Sequence, residues 1–487
     1  MPAPTPSSKV AARSVVGPSN GRTTFDPTQT YAPFATGGAI EGFIAPGWDK
    51  VAAAFSSNFA DGQEVKAQLC ITRGDGEPLV DLAGVNSSVA AAASSAAPDS
   101  PGDGDTYTLD TVQPVFSSGK NLEVLIVAIL VDRGLVRYDD PIAAHWPAFA
   151  QQGKQDITIA DLMRHSAGMA YFVDPEDPEN KFNFLTPDDI IARTPMHELI
   201  EKSPPQKFGQ GRRTYHFLTR GFVIDGLLKH VDHQCRTIGQ FARDEVLKPL
   251  DIDDSYFVSL TSEDAARASS VAKLCPSHPS YIMSFVLGPA MMGVESADLQ
   301  FMLSFLNPTS VAARCQLGLT GYNEDDPQAT GTYLNADDAP ARVAEVTSGW
   351  SFASARALSK VLAVFTNGGV SNGKRIISEE SAKKALGGMV SEPDELSNLN
   401  CEFSQGGLGN IHSLAKSAFR FLPDDTVAAQ EGWVGWFGYG GSSNITHVEK
   451  KITMSYTITG MGMRMPDPRG LVIMKAVAEV LEQESSQ

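Results

Sequence analysis

Strand-like segments stand near both ends of this chain, and most of what lies between them reads as helix. The stretch "EVKAQLCITRGDGEPLVDLAG" (64–84) is two strand-like runs joined through Gly74-Asp75-Gly76, a hairpin pattern. The stretch "KITMSYTITG" (451–460) alternates, with Ile452, Met454, Tyr456 and Ile458 on one face. From 117 to about 310 the apolar spacing is mainly helical. The simplest packing of such a chain is α+β: one antiparallel sheet built from both chain ends, flanked by helices, with a mainly helical subdomain inserted.

Local signals sharpen this outline. Thr158 and Asp161 form a capping-box pattern that opens "ITIADLMRHSAGM", and Gly168 is placed to close that helix. Ser354 caps a helix in "FASARALSKVLAVFTNGG", with Leu358, Val361, Leu362 and Phe365 on one face. A closing helix is expected over "GLVIMKAVAEVLEQ". Residues 1–38 are rich in Pro, Ser and Thr and read as a loose tail, while 87–105 are of low complexity and read as a loop or insertion.

The 487 residues carry 39 Lys plus Arg against 57 Asp plus Glu, a formal charge of −18. That balance disfavours nucleic acid and anionic membranes as partners. No apolar run reaches the ~18 residues of a membrane span; the longest, "VLIVAILV" (124–131), fits a buried helix. The five cysteines (Cys70, Cys235, Cys275, Cys315, Cys401) are scattered and lack CxxC spacing, which fits reduced thiols in a cytoplasmic protein. The start has no signal-peptide core, although its basic, serine-containing character also fits weak organelle targeting.

The chemistry concentrates at "PVFSSGKNLEVLIVAILVDRGL", which begins at Pro114. A helix starting near Ser117 puts Ser117 and Lys120 on one side of its first turn. A helix N-terminus favours a developing oxyanion and disfavours a second positive charge, and the apolar run behind Lys120 acts in the same direction. Both effects lower a lysine pKa toward the range where its amine accepts a proton, which a serine nucleophile requires. Ser118 has Asn121 at its +3 position, so Ser117 is the better nucleophile.

Taken together, these stretches resemble the serine β-lactamase-like family, in particular its class C-like esterase and acyltransferase members and its LACTB-like branch. "GFIAPGWDKVAAAFSSNFADGQEVKAQL", "VFSSGKNLEVLIVAILVDRGL", "ITIADLMRHSAGM", "FGQGRRTYHFLTRGFVIDGLLKHV" and "FGYGGSSNITHVEKKITMSYT" occur in the family's order. The resemblance implies a β-lactamase/transpeptidase-like fold over 39–480. The sheet is then drawn from about 60–84 and 430–460, the helical region runs over about 117–340, and 481–487 form a tail. It makes Ser117 the nucleophile, Lys120 the motif lysine and Tyr215 the catalytic tyrosine, with either Lys120 or Tyr215 as base. It places Tyr439, Gly440, Gly441 and Ser442 in a third motif on an edge strand beside the substrate. The N–H groups of Ser117 and Ser442 then form the oxyanion hole. It implies no cofactor and no metal.

Three departures from the family pattern steer the substrate reading. Penicillin-recognising members carry Lys or His where this chain has Tyr439, which is uncharged at neutral pH. Tyr215-His216-Phe217 lacks the asparagine that lactamases place two residues after the tyrosine. Gly119 stands where threonine is common, which is expected to loosen the first helical turn. The first two favour a neutral ester or thioester, so the expected function is a serine esterase or acyltransferase. A β-lactamase, a D-Ala-D-Ala carboxypeptidase and a catalytically silent assembly protein are the alternatives. Two competing signals fail on context. Gly369-Val370-Ser371-Asn372-Gly373 fits the G-x-S-x-G pattern, but a helix precedes it where a hydrolase elbow needs a strand. His230 and His233 share a helix face without a third ligand, so they read as solvated, and His165 and His216 read as structural hydrogen-bonders.

Overall fold

The computed structural model describes residues 30–31, 38–86, 107–173, 175, 187–207, 213–275, 342–396, 400–413, 424–462 and 466–486. The expected loop at 87–105 and all of 276–341, with Cys315, lie outside the described residues.

Ten strands form one antiparallel sheet. They are β1 (Thr30–Tyr31), β2 (Gly38–Ile44), β3 (Lys66–Arg73), β4 (Glu77–Asn86), β5 (Val390–Pro393), β6 (Asn400–Phe403), β7 (Gly409–Asn410), β8 (Trp433–Phe437), β9 (Ser443–His447) and β10 (Ile452–Ile458). Their order is β1-β2-β4-β3-β10-β9-β8-β7-β6-β5. The two chain ends meet where β3 pairs with β10, from Ile452 opposite Arg73 to Ile458 opposite Ala67. The β3–β4 turn forms where expected, and Gly74 and Gly76 adopt φ of 53° and 86°, a region that side chains disfavour.

Five helices matter for the site: α1 (Asp49–Ala60), α2 (Lys120–Asp132), α3 (Thr219–Val231), α4 (Ala355–Thr366) and α5 (Pro468–Ser485). Helices α1 and α5 cover one face of the sheet. There Trp48, Phe55 and Phe59 pack with Leu69, Ile71, Met454, Tyr456, Met474 and Val477 in one apolar cluster. The predicted stripe of Ile452, Met454, Tyr456 and Ile458 faces this cluster. The opposite face meets α4 and is also buried, but it is polar. Thr72 bonds Ser359 (2.8 Å), Ser455 bonds Asn444 (2.9 Å) and Thr457 bonds Gln68 (3.1 Å). Each buried polar group on this face that finds a partner avoids the cost of desolvation without a bond. A larger apolar cluster, with α2 running through it, holds the helical region together.

Four points of the sequence reading of the fold need correction. The sheet extends beyond 60–84 and 430–460, because β2 adds on one side and β5 to β7 add on the other. Thr30 and Tyr31, inside the expected tail, pair with Glu41 and Ile40. Residues 481–485, read as tail, continue α5. The helix opened by the Thr158–Asp161 capping box covers only Ile159–Met163, so Gly168 lies beyond its end and does not close it. The G-x-S-x-G stretch is a turn after a helix, as the sequence context required, and not a hydrolase elbow: Val370–Ser371 pairs with Lys374–Arg375 in a tight hairpin, with Asn372 and Gly373 at positive φ. Its Ser371 is buried and donates to the Lys360 carbonyl (2.7 Å).

Candidate active site

Ser117 lies on a 3-10 turn, Phe116–Gly119, that runs directly into α2 at Lys120. The α-helix thus begins three residues later than the sequence suggested, yet the turn keeps the two side chains together. Phe116, just before Ser117, has φ of 46°, a costly conformation for a bulky residue. Lys120 Nζ lies 3.3 Å from Ser117 Oγ and donates to the Phe217 carbonyl at 2.6 Å. From the loop before α3, the Tyr215 hydroxyl donates to Ser117 Oγ at 2.6 Å. The three expected catalytic side chains therefore meet at one oxygen. Ser117 is 5% exposed and Lys120 fully buried.

Electrostatics separate the two base candidates. Burial pushes the Lys120 ammonium well below the usual lysine range, Glu123 opposes that shift and Arg220 adds to it. Burial pushes the Tyr215 phenol up, against the hydrogen bond to Ser117. Burial thus shifts the amine toward its neutral form and the phenol toward its protonated form.

The third motif joins the same place from the β8–β9 connection. Ser442 Oγ donates to the Val115 carbonyl (2.9 Å) and bonds Ser118 Oγ (2.9 Å). These bonds occupy its side chain and tie the connection to the nucleophile turn. Gly438 makes the approach possible, since a Cβ there would meet the Val115 carbonyl oxygen at 2.3 Å. The motif is not on an edge strand as expected. Tyr439, Gly440 and Gly441 form the turn between β8 and β9, well inside the sheet, because β7, β6 and β5 add beyond β8. Arg469 holds the turn by donating to the Gly440 carbonyl (3.2 Å), and its guanidinium also pairs with Glu64 (3.0 Å) and Asp467 (2.9 Å). The Tyr439 ring is 46% exposed and meets the Phe116 ring edge-on at 5.7 Å.

Gly119 also needs correction. It does not loosen the turn: its φ is an ordinary −65°, and no side chain fits there. A Cβ would lie 2.3 Å from the Thr347 carbonyl oxygen and 3.2 Å from Ser351 Oγ. The glycine lets the segment 347–351 press against the nucleophile turn.

Sequence reasoning missed the residues behind Lys120. Glu123 and Arg220 form a fully buried ion pair (2.6 Å), and Thr347 Oγ1 donates to the other oxygen of Glu123. Arg220 also donates to the main-chain oxygens of Lys120 (3.2 Å) and Met163 (3.2 Å). The Trp436 ring stacks on Tyr215 at 5.7 Å, with the Arg220 guanidinium 5.0 Å and Lys120 Nζ 5.7 Å from its centre. The available signal was a charge inside an apolar helical run, Glu123 in "KNLEVLIVAILV" and Arg220 in "TRGFVIDGLL", which demands a buried partner. His165 and His216 are structural as expected. His165 Nδ1 accepts from the His216 N–H (3.1 Å), and His216 Nε2 accepts from the Met169 N–H (3.1 Å). Among the described residues no group of three or more His, Cys, Asp or Glu is arranged to hold a metal ion, and no helix is long and apolar enough to cross a membrane. Cys70, Cys235 and Cys275 are free thiols, Cys235 exposed.

Residues 51–281 match the family model described as Beta-lactamase. The chain is 27% identical over 274 residues to the Esterase/beta-lactamase LipL of Mycobacterium tuberculosis, covering 56% of this chain and 55% of that protein. It thus spans about half the length of the curated relative it matches. The structure is similar to that of a family VIII carboxylesterase, with a TM-score of 0.67 and 23% identity over 91% of this chain and 99% of that one. It is also similar to a penicillin-binding protein homolog from Caulobacter crescentus, with a TM-score of 0.64 and 21% identity over 91% and 99%. At these identities the structural likeness establishes the fold: an α+β, β-lactamase/transpeptidase-like sheet of N- and C-terminal strands packed with helices.

Proposed function

For this chain, whose residues 51–281 match the Beta-lactamase family model, we propose a serine hydrolase that cleaves neutral carboxylic esters through an acyl–Ser117 intermediate. The observation that carries the reading is the pair of contacts on Ser117 Oγ: the Tyr215 hydroxyl at 2.6 Å and the buried Lys120 amine at 3.3 Å. Neutral Lys120 takes the Ser117 proton as Oγ attacks the acyl carbon. The oxyanion rests on the N–H groups of Ser117 and Ser442, two segments that the Ser442–Val115 and Ser442–Ser118 bonds tie together. Tyr215 gives its proton to the leaving alkoxide and regains one from the Lys120 ammonium, so the alcohol departs neutral and the relay is reset. Water, or a second alcohol in acyl transfer, then attacks the acyl–Ser117 carbonyl by the same relay in reverse.

The substrate class follows from Tyr439 at the mouth. It brings an apolar edge and no positive charge to the place where penicillin-recognising proteins read a carboxylate. LipL is described as both esterase and beta-lactamase, so a β-lactam is the specific competitor. Two measurements test the reading. A fluorophosphonate should label the folded protein, and Ser117→Ala should remove the label. The kcat/KM for p-nitrophenyl butyrate should exceed that for nitrocefin. Folded protein that resists the probe would instead be an assembly protein without catalysis, and a preference for nitrocefin would make it a lactamase.

A further inference from the structure

Behind Lys120 lies a closed electrical arrangement that the proposed reaction does not itself use. Glu123 stands one helical turn after Lys120 on α2, and Arg220 reaches the same place from α3. Lys120, Glu123 and Arg220 are all fully buried. Arg220 Nε donates to Glu123 Oε2 (2.6 Å), and its Nη2 donates to the Lys120 carbonyl (3.2 Å). The remaining oxygen of Glu123 accepts from Thr347 Oγ1. Gly221 permits this crowding, since a Cβ there would lie 2.6 Å from Thr347 Oγ1 and 3.0 Å from Glu123 Oε1.

The titratable groups facing Lys120 come from four directions. Glu123 shares its helix, Arg220 comes from α3, Tyr215 and His216 from the loop before α3, and His165 from the turn after Met163. Burial holds both imidazoles neutral, His216 down to about 3 and His165 well below its ordinary value. Burial also keeps the Tyr215 phenol protonated. The charges that remain near Lys120 are one carboxylate and one guanidinium, bonded to each other. With Lys120 neutral the buried group sums to zero; with Lys120 protonated it carries one uncompensated positive charge out of water. Without Arg220, the same carboxylate would sit one turn from the ammonium and hold its proton.

We propose that Arg220 is a positioning residue that, by binding Glu123, withholds the carboxylate from Lys120 and so keeps Lys120 available as the proton acceptor for Ser117. This rests on the acyl–Ser117 reading above. Arg220 touches neither substrate nor Ser117 and acts only through the charge state and main-chain position of Lys120.

The test is the pH at which Lys120 loses its proton. It is read in two ways: from the acid limb of Ser117 phosphonylation by a fluorophosphonate, and from competitive labelling of the Lys120 amine across pH. In Arg220→Met the limb should move up by about one pH unit or more, a loss of about tenfold or more at fixed pH on that limb. In the near-isosteric Glu123→Gln, where the guanidinium stands unbalanced, it should move down. In Glu123→Gln/Arg220→Met, where both charges are gone, it should return close to wild type. A purely structural pair would lower rates at every pH and leave the limb in place, and that result, or shifts of the opposite sign, would overturn the proposal. If Arg220→Met does not fold, the direction of shift in Glu123→Gln decides. If wild-type Ser117 resists the probe at every pH, the hydrolase reading fails, and the Lys120 labelling curves of wild type and Glu123→Gln still decide the electrostatic claim.

Discussion

Gly119→Ala sets two known effects against each other at one atom. The residue has helical dihedrals, so intrinsic propensity favours alanine by about 1 kcal/mol. The added Cβ, however, lies 2.3 Å from the Thr347 carbonyl oxygen, against a backbone group rather than a flexible side chain. Relieving it requires a displacement of roughly 1 Å to reach ordinary contact distance. The carbonyl is not free to move: it accepts from Ser351 Oγ (2.7 Å), Ser351 O accepts from the Val115 N–H (2.9 Å), and Thr347 Oγ1 is bonded to Glu123. The displacement therefore falls on the turn that carries Ser117. Overpacking of this kind costs about 1–3 kcal/mol, so the clash should match or outweigh the propensity gain and leave a net loss of up to about 2 kcal/mol. The larger effect is on rate. A shift of that size breaks the 2.6 Å bond from Tyr215 to Ser117, and misplacement by about 1 Å costs on the order of 10²-fold. Urea unfolding followed by circular dichroism and kcat for p-nitrophenyl butyrate measure the two quantities. An alanine variant that is more stable than wild type and equally active would show that propensity wins, and that the 347–351 segment does not hold the nucleophile turn.

Further outcomes follow from the same geometry. Ser117→Ala should lower kcat for short p-nitrophenyl esters by at least ~10³-fold with the fold intact. Ser371→Ala should keep wild-type turnover, and an inactive Ser371 variant would return the G-x-S-x-G stretch to consideration. Lys120→Met and Tyr215→Phe should each suppress acylation, and the double variant should be little worse than either, because groups in one proton relay are not additive; fully additive losses would make one of them structural. Tyr439→Lys should raise nitrocefin acylation relative to ester cleavage by about 10- to 150-fold, the worth of a charge-assisted bond to a carboxylate; an unchanged ratio would remove position 439 from substrate choice. Burial pushes the Glu64 carboxyl up to about 7, against the pull of Arg469 and Tyr456. A carboxyl raised in the fold binds its proton more tightly there than in the unfolded chain. Wild-type stability should therefore fall as pH rises from about 4.5 to about 7, by a few kcal/mol, and Glu64→Gln should flatten that slope in urea titrations.

Much of the fold was legible because its signals are local and periodic. The Gly74–Gly76 turn, the Ser354 cap and the alternation of β10 are each set within a few residues. What escaped was set by distant partners. The strands of 390–410 are short, and Gly409–Asn410 is held as a strand by β8 on one side and Phe403 of β6 on the other. The turn character of Tyr439–Gly441 depends on Arg469 and on strands added beyond β8, which no local pattern reveals. At the site, Ser117 and Lys120 were readable as chemistry placed at the start of an apolar run, whereas Tyr215 came only from the family resemblance. Gly119 was misread because a glycine has two uses, conformational freedom and lack of bulk. Only the position of the Thr347 carbonyl distinguishes them.

The pairing of β3 with β10 also sets a schedule for the protein's own synthesis. The nucleophile turn leaves the ribosome more than 300 residues before Ser442 and the β10 segment exist. At about 5–20 residues per second, that interval lasts roughly 15–65 s. Throughout it, β3 lacks its central neighbour and the nucleophile turn lacks Ser442, the proposed second N–H donor to the oxyanion. A nascent chain can assemble the helical region around α2 in that time, but under the reading proposed above it cannot acylate. Activity would thus appear only when the sheet closes, and not in proportion to the chain already made.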